Sequence, residues 1–225
     1  IIADWFDPVD CCHRTENDAG RLFRVAPPGH LYAVPEFDFD SPQGAVRALR
    51  NPNLSLRYKA WTALLGMQAR ARPALEAMAA DTNPRFRARA LWLLATSKAG
   101  PMHAIERALK DDAPDIRALA LRIARRHELP LEPLVGRLVR DSSALVRREC
   151  AVSLHRLTSP AAVELWAELA AQHDGIDRWY LEALGIGEQG KEAACLEQWL
   201  KRAGPTWNSP AGRDLIWRSR APTAA

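Results

Sequence analysis

Few side chains in this sequence are grouped in a way that could do chemistry. The densest polar cluster is Asp4, Asp7, Asp10, Cys11, Cys12 and His13. Carboxylate, thiolate and imidazole are the protein donors that bind divalent metals, so Asp7, Cys12 and His13 are a candidate metal or cofactor-edge group. The plainer reading of the same aspartates is a turn at a sheet edge. That reading is the expectation, and no metal site is assigned. No glycine-rich phosphate loop, Gly-x-Ser-x-Gly elbow or His-Glu-x-x-His motif occurs. The Cys-x-x-Cys-His motif of covalent haem attachment is also missing. The sequence therefore predicts no catalytic residue and no cofactor held by this chain.

A second set of polar residues is periodic. Arg57, Arg87, Arg117 and Arg147 are separated by thirty residues each, and Arg178 follows as a weaker copy. Each of the first four lies six residues after an acid or amide: Asn51, Asp81, Asp111 and Asp141. Two roles fit such a row. Each guanidinium can reach the turn acid of a neighbouring copy, giving a ladder, or the row can line a surface that binds anions. The ladder is the expectation. Arg89, Arg122, Arg125, Arg126 and Arg148 lie close by and add to the basic surface that the second role would use.

The elements that carry these arginines repeat as well. After each arginine comes an apolar helical run, such as Ala60–Leu64, Ala90–Leu94, Leu119–Ile123 and Cys150–Leu154. Shorter first helices are predicted near 42–50, 72–80, 101–110, 131–140, 160–171 and 190–202. One helix pair cannot bury its apolar stripe alone, whereas stacked pairs bury a continuous core. The fold class expected is mainly α: a solenoid of HEAT-like hairpins with a period of about thirty, over residues 45–203. Trp61, Trp92 and Trp179 fall in apolar runs and are expected in the core. Cys150 and Cys195 are expected as buried free thiols. His103, His127, His155 and His173 have no ligand spacing and are expected to be structural or at the surface.

Residues 1–35 differ in character. Ile1–Phe6 and Gly20–Val25 read as two strands, and a lone strand pair is marginal in water. The chain opens inside such a strand, without Met, which predicts a piece of a longer protein. Residues 36–44 read as a linker ending at Ser41-Pro42, a helix cap and first-turn proline. Residues 204–225 read as a partial repeat or tail. The 225 residues are 48% hydrophobic with net charge +4, the composition of a folded and mildly basic protein. No apolar run is long enough to span a membrane, and no signal peptide is expected.

The N-terminal motifs carry a resemblance. Asp4-Trp5-Phe6-Asp7-Pro8, Cys12-His13-Arg14 and Gly20-Arg21-Leu22-Phe23-Arg24-Val25 resemble the last propeller strands of the membrane-bound dehydrogenase family of planctomycetes and verrucomicrobia. That family's pattern is Asp-Trp-Tyr-Asp, a Cys-His turn, then Gly-Arg-Ile-Tyr-Arg. Arg213–Ala221 is similar to a segment of its repeat region. The connection after His13 is shorter than in the family. The resemblance implies a β-propeller before this chain, HEAT-like repeats within it and a cytochrome c domain after it. It also implies a periplasmic or cell-envelope location and a quinone- or haem-linked sugar dehydrogenase as the parent protein.

Three functional expectations follow. The first is a non-catalytic scaffold that contacts adjacent domains of the parent and a protein or polysaccharide partner. The second is a nucleic-acid binder with a basic concave face, similar in architecture to the alkylpurine DNA glycosylases. The third is an enzyme similar to the phycobilisome lyases, which share the short repeat. The first is the reading adopted.

Overall fold

The computed structural model describes residues 2–4, 21–23, 25–29, 35–97 and 100–221. The chain divides into two units, Ile1–Glu36 and Phe37–Ala225.

In the first unit, β1 (Ile2–Asp4) pairs antiparallel with β2 (Arg21–Phe23). Ile2 lies opposite Phe23, and Asp4 lies opposite Arg21. Asp7, Asp10, Cys11, Cys12 and His13 lie outside the described residues.

The second unit is mainly helical and compatible with a helical solenoid. Its elements are α1 (Pro42–Leu49), α2 (Leu54–Met67), α3 (Arg72–Met78), α4 (Pro84–Ala95), α5 (Pro101–Ala108) and α6 (Pro114–Arg126). There follow α7 (Glu132–Leu138), α8 (Ala144–Ser153), α9 (Pro160–Ala170), α10 (Arg178–Gly187), α11 (Glu192–Ala203) and α12 (Pro210–Arg218). Proline opens α1, α4, α5, α6, α9 and α12, where its missing N–H has no intrahelical partner to lose. Side-chain oxygens of Ser41, Asn53, Asn83, Ser159, Asp177 and Ser209 cap α1, α2, α4, α9, α10 and α12.

The acids that open the turns do a different job. Asp81, Asp111 and Asp141 each accept from the backbone N–H two residues on, at 2.8, 2.8 and 2.9 Å, and so fix the turn before the helix. Asn51 does the same at 2.9 Å.

The even-numbered helices pack in series: α2 on α4, α4 on α6, α6 on α8, α8 on α10 and α10 on α12. On the other side α1 packs on α3, α7 on α9 and α9 on α11. The apolar stripe of each even-numbered helix is buried between its neighbours. Ala60, Ala90, Ala120 and Cys150, one thirty-residue step apart, are all fully buried. Small side chains there let the helices approach closely. Leucines such as Leu64, Leu121 and Leu154 fill the space between, each contributing about 1.5–3 kcal/mol by leaving water. Gly187 marks a close approach of α10 to α8: a Cβ there would stand 2.4 Å from the backbone oxygen of Ala151.

The helical unit starts at Phe37, inside the stretch read from sequence as a linker. Phe37 and Phe39 pack against the core. Asp38 accepts from the N–H groups of Asp40 and Ser41 at 2.9 and 3.0 Å, which folds the chain into α1. At the other end α12 packs on α10, and Ala221 beyond it is buried.

Candidate functional site

The periodic arginines are the residues to place first. Arg87 lies on the first turn of α4, and its guanidinium points toward the turn before α6. Its Nε and Nη2 donate to Oδ2 and Oδ1 of Asp111 at 2.8 and 2.7 Å. Its Nη1 donates to the carbonyls of Asp81 and Thr82 at 2.9 and 3.0 Å. Arg117 on α6 repeats the arrangement, with Asp141 at 2.6 and 2.8 Å and the carbonyls of Asp111 and Asp112 both at 2.9 Å. Each of these two rungs thus ties the start of one helix to its own turn and to the turn before the next even-numbered helix. The fork geometry of guanidinium and carboxylate is the strongest form of this contact. The side chains of Arg117 and Asp141 are only 16% and 8% exposed. The hydrogen bonds that Arg87 donates to Asp111 raise its pKa, and the Asp141 carboxyl is held below its usual range, first by the Arg117 guanidinium.

Arg147 makes half a rung. Its Nη1 reaches the carbonyls of Asp141 and Ser142 at 2.7 and 3.1 Å. No acid stands ahead of it, because Ala171 occupies the place twenty-four residues on. The guanidinium lies over the Tyr180 ring instead, 5.5 Å from its centroid, and its buried Nε has no partner. His173 stacks on Tyr180 with a centroid separation of 6.1 Å, and its Nε2 lies 3.4 Å from Asp214. Burial pushes the Tyr180 hydroxyl up to about 12, and that hydroxyl donates to the carbonyl of Leu169 at 2.9 Å.

Arg178 is in a different register. Arg57, Arg87, Arg117 and Arg147 are four residues after the caps Asn53, Asn83, Ala113 and Ser143. Asp177 caps α10, so Arg178 is the first helical residue and Leu181 takes the ladder position. Arg178 pairs within its own helix, with Glu182 at 3.1 Å. Arg57 has no ion pair among the described residues, since Arg50 takes Asp81 at 2.7 Å.

The remaining basic residues divide the same way. Arg122 and Arg125 both donate to Glu149, at 2.8 and 2.9 Å, and Arg148 lies 3.8 Å from Asp177. Arg89 donates to the carbonyl of Leu49 at 2.7 Å. Its pKa is lowered by burial first, then by the positive charges of Arg57 and Arg85. Two grooves open along this face. One, of about 400 Å³, is lined by Leu49, Leu54, Arg57, Tyr58, Trp61 and Arg89. The other, of about 470 Å³, lies between α4 and α6 and includes Arg85, Trp92, Asp115 and Arg122.

Trp61 and Trp92 are half-buried against the core. Trp179, expected in the core, is 72% exposed, because the shifted register of α10 turns it outward and puts Tyr180 inside. Cys150 and Cys195 are buried free thiols. Burial pushes both thiols up, Cys195 to about 12. His103 lies beside Glu76 at 3.5 Å, and His155 Nδ1 is 3.1 Å from the carbonyl of Ile186. Among the described residues no group of three His, Cys, Asp or Glu side chains could share a metal ion. No described helix is long and apolar enough to cross a membrane.

Three charged residues that the sequence does not single out are buried: Glu149, Glu188 and Lys191. Glu188 is 2% exposed, one carboxylate oxygen lacks a partner, and burial pushes its pKa up to about 7. Lys191 donates to the carbonyls of Leu154, at 2.9 Å, and Gly187. The signal was present but hidden by register. Counted from the cap, Glu188 falls where the other even-numbered helices carry Leu64, Leu94, Ala124 and Leu154. No family model matches the chain, and no curated protein matches it.

Proposed function

We propose that the helical unit is a non-catalytic scaffold of the HEAT type, built from helix pairs with a period of about thirty residues, that presents its groove-bearing face to a protein partner. The observation that carries this reading is the pair of rungs, Arg87–Asp111 and Arg117–Asp141. They use the same atoms at positions thirty residues apart, beside helices that start at Leu54, Pro84, Pro114 and Ala144. The polar groups with the strongest geometry therefore join neighbouring repeats, and they are already satisfied by carboxylates and carbonyls.

The wider context belongs to the same proposal. The N-terminal motifs and the Arg213–Ala221 segment support a parent protein of the propeller, repeat and cytochrome c type, exported to the periplasm or cell envelope. The strand pair Ile2–Asp4 and Arg21–Phe23 is then the remnant of a propeller blade. Any dehydrogenase chemistry belongs to the parent's other domains. The reading frame encoding the chain tests this. Propeller strands before Ile1 and a Cys-x-x-Cys-His motif after Ala225 are expected. A start codon directly before Ile1 with a stop directly after Ala225 contradicts it.

A further inference from the structure

The charges of the helical unit are not evenly paired. From α5 onward most arginines on the packed helices meet a carboxylate: Arg107 with Glu76, Arg137 with Glu106, Arg122 and Arg125 with Glu149, and Arg218 with Glu182. Around α2 and α4 the balance is different. Arg57 and Arg85 have no ion pair among the described residues, and Arg89 is held by a neutral carbonyl. Arg50 and Arg89 lie on the Phe86 ring, 5.0 and 5.5 Å from its centroid. The nearest acid, Asp81, is taken by Arg50 at 2.7 Å. The positive charges of Arg57 and Arg85 both act on Arg89, so this corner carries a local excess of cations.

The same corner is apolar where it is open. Leu54 and Tyr58 are each 73% exposed, and Trp61 forms the wall of the groove beside them. Large apolar side chains left in water beside unmatched cations form a surface with two complementary demands. An occupant has to bring negative charge and an apolar side chain together.

We propose that this groove docks a short acidic segment of a partner protein. A carboxylate of the segment is held by Arg57 on the groove wall, with the charge of Arg85 close enough to act on neighbouring Arg89, and an adjacent aromatic or aliphatic side chain sits on Leu54, Tyr58 and Trp61. A long polyanion fits the face less well. The next groove presents Asp115, and beyond it Arg122 and Arg125 are occupied by Glu149. A phosphate backbone continuing along the even-numbered helices meets carboxylates after one repeat, whereas a short segment stops before them. The proposal rests on the scaffold reading, and its failure leaves the reading-frame result untouched.

Selection of a random dodecapeptide display library against the full chain tests it, with binding of the selected peptides followed by fluorescence anisotropy at low salt. The expected result is a consensus in which Asp or Glu flanks an aromatic or aliphatic residue. The double variant Arg57→Glu, Arg85→Glu should weaken the selected peptides at least about tenfold while leaving the far-UV circular dichroism unchanged. The control Arg126→Glu, with the same kind of charge change on an exposed site of α6, should leave them within about twofold. Three results overturn the proposal. One is a selection with no acidic consensus. Another is a consensus peptide indifferent to the double variant. The third is a twenty-nucleotide oligothymidine that binds more tightly than the peptides and is lost in the same variant, which assigns the groove to nucleic acid.

Discussion

Arg117 grips Asp141 through both carboxylate oxygens, at 2.6 and 2.8 Å, while its remaining nitrogen holds two carbonyls of its own turn at 2.9 Å each. One side chain therefore fixes the start of α6, the turn before it and the distance to the turn before α8. Removing it affects three local structures together.

Arg117→Ala should destabilise the helical unit by about 2–4 kcal/mol, since it leaves a largely buried carboxylate without its partner. Arg137→Ala is the matched control. Its pair with Glu106 is 44% and 42% exposed, and the loss should stay below about 1 kcal/mol. Urea titrations of the two variants measure the difference. Equal effects would show that the rung contributes no more than a surface pair.

Asp141 and Glu188 predict opposite pH responses. Asp141 is held below the usual range, so its contribution is present above the unfolded value of 3.8 and is lost as pH falls through the folded value. Glu188 is pushed up from 4.5 to about 7, so the folded state binds the extra proton and stability falls as pH rises between those values. The full Glu188 effect is of the order of 3 kcal/mol at most. Glu188→Gln should flatten the neutral limb and raise stability at pH 8, and Asp141→Asn should flatten the acid limb. Denaturation midpoints from pH 3 to pH 8 read both. An unchanged neutral limb in Glu188→Gln contradicts the buried-carboxylate account.

Glycine substitutions separate close packing from helix propensity. Gly187→Ala drives a Cβ to 2.4 Å from the Ala151 oxygen and should cost about 2 kcal/mol or more by forcing α8 and α10 apart. Gly66, on α2, has nothing within 4 Å of an added Cβ. Gly66→Ala should be neutral or stabilising by up to about 1 kcal/mol. Thermal melts of the two variants make the comparison.

The thiols give a probe of local opening. Cys150 is fully buried, and the Cys195 thiol is pushed up to about 12 by burial. Only thiolate reacts with iodoacetamide. Site-resolved mass spectrometry at pH 8 should show both modified at least about a hundredfold more slowly in the native protein than in urea. Rapid native labelling of Cys195 would place α11 in a loosely packed part of the unit.

The helical pattern was legible in the sequence because helix starts and buried stripes are written in residue types with local physical meaning. Proline and Asn or Asp mark helix starts, and alanine or leucine at fixed offsets marks the stripe. The contacts Arg87–Asp111 and Arg117–Asp141 fall at positions the sequence marks, because an arginine and an acid recur there at thirty-residue steps. Register after an insertion was not legible. The spacing from Asp141 to Asp174 is longer than one period, so aligning on Arg178 misplaced α10 by three residues. Trp179 then read as core, and Glu188 went unnoticed in an apolar position. The segment 36–44 reads as a linker because its acids and Pro42 outweigh Phe37 and Phe39, whose packing against the core is a property of the folded chain. The unmatched cations near α2 were also hidden, since pairing is a property of the folded surface.

The most direct measurement on the central claim is the excision of one repeat. Deleting residues 84–113 joins Asn83 to Pro114, keeping the cap, the opening proline and the Arg117–Asp141 rung. A stack of thirty-residue modules predicts a shortened protein that remains helical and unfolds cooperatively, with stability lowered by about one interface. Deleting only residues 84–103 breaks the register and should abolish cooperative unfolding. If both deletions behave alike, either both folded or both collapsed, the thirty-residue module is not the unit from which this protein is built.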